Sequence, residues 1–140
     1  MTAAVADRLA IEDLFVRYTA ALDGGDVETL VGCFAEDGSL DSPTVGRYAG
    51  RAAIREFAER YARFRQSGAQ LRHFVSNFAV AVEGDRAAVT CYLLITLTRG
   101  GASRVHAPGH YKCDLVRVGG AWLFQRRVVI LDHPTILDGV

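Results

Sequence analysis

Residues 71–98 read LRHFVSNFAVAVEGDRAAVTCYLLITLT, two runs rich in β-branched, aromatic and aliphatic residues parted by the single pair Gly84-Asp85. That composition predicts two extended strands, Leu71–Glu83 and Ala87–Thr98, joined antiparallel by a tight turn. The pattern continues downstream with Val105–Val118 and Trp122–Leu131, divided from the rest by Arg99-Gly100-Gly101 and from each other by Gly119-Gly120. Short connections keep consecutive strands adjacent, so the second half of the chain predicts one long antiparallel meander.

Upstream of residue 71 the period changes from two to three and four. Ile11, Leu14, Phe15, Tyr18 and Leu22 recur at helical spacing and predict an amphipathic helix over Ala4–Leu22, ended by Asp23-Gly24-Gly25. Asp26 then caps a short helix running through Phe34 with Val27, Leu30 and Val31 on its apolar stripe, and Glu36-Asp37-Gly38 closes it. A brief extended piece at Ser39–Asp41 leads into a loop with Pro43 and Gly46, and a third helix over Arg51–Gln66 buries Ile54, Phe57, Ala58, Tyr61 and Phe64. Three helices followed by a long twisted sheet predict an α+β fold in which the concave face of the sheet wraps the helices. A length of 140 residues suits one domain over 1–140.

The 16 basic and 16 acidic residues cancel, so the overall field attracts neither nucleic acid nor an anionic membrane, and both are excluded as expected partners. All the basic residues except Lys112 are Arg, the mark of a GC-rich, bacterial genome. The start MTAAVADRLA lacks a secretory pattern and no stretch is apolar enough to span a bilayer, which leads to the expectation of a cytoplasmic protein. Cys33, Cys91 and Cys113 are odd in number and widely spaced, and read as small buried hydrophobes rather than metal ligands or disulfides.

The order helix, helix, strand, helix, four long strands resembles the SnoaL-like family of the nuclear-transport-factor-2-like superfamily. Four stretches carry the resemblance: IEDLFVRYTAALDGGDVETLVGCFAEDG in the first two helices, GRAAIREF at the third, LRHFVSNFAVAVEGDRAAVTCYL in the first hairpin and GGAWLFQRRVV in the closing strand. The resemblance implies a cone-shaped curved sheet around three N-terminal helices, enclosing an apolar pocket, and a homodimer or higher homo-oligomer. At its polar positions the sequence is most similar to the scytalone dehydratase and bile-acid dehydratase type, which uses a Tyr, an Asp and a His without a cofactor. Tyr18, Asp23 and His73 match those three positions.

The chemistry implied is acid–base work on a hydrophobic polycyclic or aromatic hydroxyketone. Asp23 fixes the tautomer of His73, whose free nitrogen takes a proton α to a carbonyl, while the Tyr18 phenol donates to the resulting enolate oxygen. Dehydration, double-bond isomerisation and cyclisation share that intermediate, and all three remain open. None needs a metal or nucleotide, and the chain has no glycine-rich phosphate loop, so no cofactor is expected. The alternative class is a non-catalytic binding or subunit-type module of the same fold, in which these groups only orient a ligand.

Secondary candidates surround these three. His73 shares strand parity with Leu71, Val75 and Asn77, opposite Arg72, Phe74, Ser76 and Phe78, which makes Asn77 a candidate ligand contact. Tyr48 and Tyr92 are candidate pocket-lining rings. Dehydratases of this type carry a further His or Asp late in the second long strand, where this chain has Thr96 and Arg99 as candidate oxygen-binding groups. His106 and His110 fall on one face with Arg104, Lys112 and Asp114 and predict a polar outer surface or subunit contact. Arg126 and Arg127 straddle the closing strand, so one of them points inward, towards a substrate anion or a helix carboxylate.

Overall fold

The computed structural model describes residues 1–140. Helix α1, Ala3–Gly24, starts where the Thr2 hydroxyl accepts the Val5 N–H at 3.3 Å. It stops where Gly25, at a left-handed φ of 74°, returns its own N–H to the carbonyls of Ala21 and Leu22. The predicted stripe of Ile11, Leu14, Phe15, Tyr18 and Leu22 is its buried face. Helix α2, Val27–Gly32, is capped by Asp26, whose carboxylate accepts the Thr29 N–H at 3.1 Å.

The second helix is shorter than its apolar spacing predicts. Phe34 opens strand β1, Phe34–Ser42, and its ring packs 5.8 Å from that of Tyr18 and 5.4 Å from that of Phe124. Gly38, expected to close a helix, sits inside this strand at a close approach, since a Cβ there would lie 2.8 Å from the Phe124 carbonyl oxygen. The expected loop beyond it contains strand β2, Gly46–Ala49, paired antiparallel with β1 from Ser39 against Ala49 to Ser42 against Gly46. Helix α3, Arg51–Gln66, follows and buries Ile54, Phe57, Ala58 and Phe64.

Strands β3, Gln70–Glu83, β4, Arg86–Arg99, β5, Ala102–Val118, and β6, Ala121–Leu131, form the predicted meander. The full sheet runs β2-β1-β6-β5-β4-β3, with β1 added parallel to β6 and every other pair antiparallel. This is the expected α+β architecture, a curved sheet whose concave face packs on the helices. Its core joins Phe15, Tyr18, Phe34 and Phe124 to the inward residues Val89, Cys91, Leu93, Tyr111 and Cys113 of β4 and β5.

Three β-bulges break the alternation of the long strands, and each changes which side chains enter the core. In β3 the register shifts between Ser76 and Ala79 around Asn77, a non-glycine residue with φ of 57°. Beyond it Phe78 and Val80 turn inward, and Phe78 meets Phe15 edge-on with ring centroids 5.2 Å apart. This corrects the simple parity that placed Phe78 with Arg72, Phe74 and Ser76. In β5 His106 is the extra residue, because Ile95 pairs with Ala107 and Thr96 with Val105. In β6 Gln125 is extra between Phe124, opposite Leu115, and Arg126, opposite Asp114. After that bulge it is Arg127, not Arg126, that shares the inner face with Phe124.

Candidate functional site

Between α1, α3 and the concave sheet lies an apolar cavity lined by Tyr18 and Leu22 from α1, Phe57 and Tyr61 from α3, and His73, Leu93, Ile95, His106 and Tyr111 from the sheet. Thr135 and Leu137, from the segment after β6, close one side. Leu137 is anchored in a small cluster with Phe64, Ala69, Leu71 and Leu97. The volume left between these walls is about 40 Å³, room for a few waters. A fused-ring molecule enters only if part of the wall moves.

Asp23 and His73 come together from opposite ends of the sequence logic, a helix terminus and a strand start. The carboxylate is bidentate on one residue: Oδ2 accepts the His73 backbone N–H at 2.9 Å, and Oδ1 lies 2.6 Å from Nδ1. Both side chains are sequestered, at 5% exposure for His73 and 9% for Asp23. A carboxylate at Nδ1 holds the ring proton there and leaves Nε2 as the acceptor. The glycine-rich end of α1 is what allows this, because Gly25 turns the chain directly after Asp23-Gly24. Gln70 braces the same end, its side-chain amide donating to the Asp23 carbonyl at 2.9 Å and the Leu71 carbonyl at 2.8 Å.

Tyr18 faces the cavity from the middle of α1. Burial pushes its phenol far above the ordinary tyrosine range, an effect the adjacent Arg127 guanidinium opposes without reversing, so the group is a neutral hydroxyl donor. Tyr111 is pushed up to about 12 for the same reason, again with Arg127 opposing.

Arg127 is fully buried. Its guanidinium carbon stands 3.8 Å from the centroid of the Tyr18 ring and 3.7 Å from that of Tyr111, with Phe124 at 4.6 Å and Phe15 at 5.2 Å. Nη1 reaches Cys113 Sγ at 3.8 Å, and Nε and Nη2 have no protein partner. The expected helix carboxylate is absent. Aromatic faces hold this cation instead, through their quadrupoles. The three cysteines are free and buried as expected, and burial raises the thiols of Cys91 and Cys113 to about 12 and about 11.

His106 is the residue that strand parity misplaced. The β5 bulge turns it into the cavity with Ala107, at 7% exposure, and its Nδ1 is buried without a protein partner. Its pKa lies below the ordinary histidine value, mainly because burial disfavours the charged ring, with Arg104, His73 and His133 adding in the same direction. The nearest sequence signal is Pro108-Gly109, a pair that regular strands avoid. His110 stays at the rim of a groove on the outer face with Phe74, Tyr92 and Asp132.

The secondary candidates lie elsewhere. Asn77 is exposed and serves the β3 bulge, its side-chain oxygen accepting from Ser76 Oγ at 2.8 Å. Tyr92 is 62% exposed on the outer face, because it alternates with the inward Cys91 and Leu93. Thr96 shares that outward parity and is absent from the cavity wall. Tyr48 packs its ring 5.4 Å from Phe57 and accepts a hydrogen bond from Arg60 at 3.1 Å, behind the cavity lining. Arg99 stacks over Phe64 and donates to the Ser67 carbonyl at 3.3 Å, outside the cavity. No cluster of three His, Cys, Asp or Glu side chains is placed to hold a metal ion. No helix is long and apolar enough to cross a membrane.

Residues 3–128 match the SnoaL-like domain family, and the chain belongs to it. Among curated proteins it is similar to the uncharacterized protein Rv2910c of Mycobacterium tuberculosis, 28% identical over 135 residues, covering 90% of this chain and 86% of the relative. Among solved structures it is similar to Rv3472 of M. tuberculosis, a protein of unknown function, with a TM-score of 0.84 at 28% identity over 94% of this chain and 75% of that one. An NTF2-like protein with a cystatin-like fold from Novosphingobium aromaticivorans gives a TM-score of 0.83 at 28% identity, covering 98% of this chain and 86% of the other. Fold and cavity together define a protein suited to hold a small hydrophobic molecule.

Proposed function

We propose that the chain is a cofactor-independent acid–base lyase or isomerase acting on a hydrophobic hydroxyketone. The observation that carries this reading is His73 in the wall of an apolar cavity with buried Asp23 behind it, Nδ1 committed to the carboxylate and Nε2 left as a base, and Tyr18 lining the same cavity.

In an elimination, His73 Nε2 takes the proton α to the carbonyl. The electron pair of that C–H bond delocalises into an enolate, whose oxygen Tyr18 steadies by donating a hydrogen bond. The C–O bond to the β-hydroxyl then breaks, a C=C bond forms, and the imidazolium returns its proton to the departing hydroxide as water. Asp23 stabilises the transient imidazolium throughout, and the ring ends neutral as it began. On a ketone with a C=C bond β,γ to the carbonyl, the same abstraction gives a dienolate, and returning the proton to its γ-carbon moves the double bond into conjugation.

The test uses a tetralone carrying a hydroxyl β to its carbonyl, which loses water to become α-naphthol, read by absorbance and fluorescence. Turnover by the wild-type chain that His73→Ala abolishes supports the lyase assignment. Saturable binding with no naphthol formed, and no exchange of the α-protons into deuterated water, replaces it with the non-catalytic binding module.

A further inference from the structure

We propose that His106 is a second functional histidine of the cavity, a neutral hydrogen-bond donor that recognises a ligand oxygen. The inference deepens the reading above and rests on the same cavity being the ligand site.

A buried polar atom without a partner is costly relative to a satisfied one, so a fold that turns one inward needs a compensating reason. His106 is brought inward by a single inserted residue in β5, and without that bulge the strict alternation would face it to solvent. Its Nδ1 then lies buried among apolar walls with nothing from the protein to bond. Structural histidines in cores have both nitrogens explained by neighbours or water, whereas this one opens onto the cavity that His73 also lines.

The register places the two rings on either side of β4. His73 pairs with Ile95, and Ile95 pairs with Ala107, the neighbour of His106. Two inter-strand steps separate their backbones by roughly 10 Å, with both side chains reaching into the space between the sheet and the helices. A ring system lying over Ile95 therefore meets His73 at one edge and His106 at the other.

Titratable groups that line the same cavity are Tyr18 from α1, Tyr61 from α3, His73 from β3 and Tyr111 from its own strand, and Arg104 and His133 are also near enough to act on the ring. No carboxylate pairs with it, in contrast to His73. Such a ring stays neutral near pH 7, and a neutral imidazole donates a hydrogen bond to an enolate or carbonyl oxygen without surrendering its proton. His106 thus supplies from β5 a polar contact in a part of the cavity where β4 offers only Leu93 and Ile95.

The experiment compares α-naphthol, whose oxygen stands where the enolate oxygen would be, with naphthalene, which lacks it. Dissociation constants of both are measured on the full chain by fluorescence for wild type, His106→Phe and His106→Gln, with circular dichroism melts of each variant. Wild type is expected to prefer naphthol. His106→Phe, which keeps a planar ring, is expected to cut that preference about tenfold, and His106→Gln, which keeps a neutral donor, to restore part of it. A preference unchanged in both variants overturns the proposal, as does a wild type that binds naphthol no tighter than naphthalene or binds neither. Because the readout is a ratio of affinities, loss of the lyase assignment through absent turnover leaves it intact, and a merely structural role for His106 shifts both ligands alike.

Discussion

Asp23 holds His73 by two atoms of one residue, the backbone N–H at 2.9 Å and Nδ1 at 2.6 Å, so the carboxylate fixes both the β3 backbone at His73 and how its ring is turned. Asp23→Asn keeps the shape and can keep one of those hydrogen bonds, but removes the charge that stabilises an imidazolium. Turnover of the hydroxytetralone is expected to fall by about 10²–10⁴-fold with KM little changed. Stopped-flow or steady-state absorbance measures it, and equal effects on kcat and on the melting temperature's dependence on ligand would point to misplacement of β3 instead.

The buried guanidinium of Arg127 makes an unusual prediction about stability. Arg127→Ala leaves a void between Tyr18 and Tyr111 and is expected to cost about 3–5 kcal/mol, comparable with truncating a buried aromatic ring. Arg127→Met fills the same space while removing two unpartnered nitrogens, and should cost much less. Arg127→Lys, which keeps the charge but loses the planar stacking, should fall between them. Urea denaturation of the three variants checks the order; a Met variant as damaged as Ala would show that the cation itself is required.

Asn77 sits at a φ of 57°, where a β-branched side chain is strained. Asn77→Val should destabilise the chain by about 1–2 kcal/mol, and Asn77→Gly should leave it near wild type, as read by thermal melts. Deleting the residue outright removes the bulge and sets Phe78 opposite Cys91, which keeps Phe78 and Val80 on the inner face in the same register with β4. That variant is expected to fold, whereas inserting a second residue beside Asn77 turns Phe78 and Val80 outward and should destabilise the chain strongly.

Stability should also depend on pH through His106. Its folded pKa is depressed, so the unfolded chain binds the proton more readily. The contribution is full above the ordinary histidine value of about 6.5 and declines as pH falls towards the lower folded value. His106→Gln should flatten that part of the curve between wild type and variant, measured by denaturant titrations at a series of pH values.

On the outer face of the sheet Phe74, Tyr92, Leu94 and Val105 lie exposed on three adjacent strands. A patch of that kind fits self-association through paired sheets. Tyr92→Asp combined with Phe74→Ser is expected to shift the wild-type chain towards monomer in sedimentation velocity without lowering its helix content. A wild type that already sediments as monomer would remove the homo-oligomer from the functional picture.

The helices α1 and α3 and the four-strand meander were legible because apolar period and glycine turns are local signals. Tyr18, Asp23 and His73 were legible through their motif positions. Most of what the residues hid has one cause. Asn77, His106 and Gln125 each add one residue to one side of a pairing, and such an insertion is visible only against the partner strand. Alternation counted along a single strand consequently grouped Phe78 with Arg72, Phe74 and Ser76, put His106 on a polar outer face, and left the choice between Arg126 and Arg127 undecided. Residues 34–38 failed differently: the three-residue step from Val31 to Phe34 fits a helix, while β1 forms there because β6 offers it an edge from the far end of the chain.

The segment that carries Thr135 and Leu137 over the cavity has a kinetic meaning beyond its place in the fold. With about 40 Å³ free in the cavity it borders, a fused-ring molecule needs the wall to move, and this segment is joined to the rest by few side chains, chiefly Leu137 on Phe64, Leu71 and Leu97. Weakening that grip by Leu137→Ala is expected to speed both arrival and release of a ligand, a change in rates that leaves untouched the groups facing it.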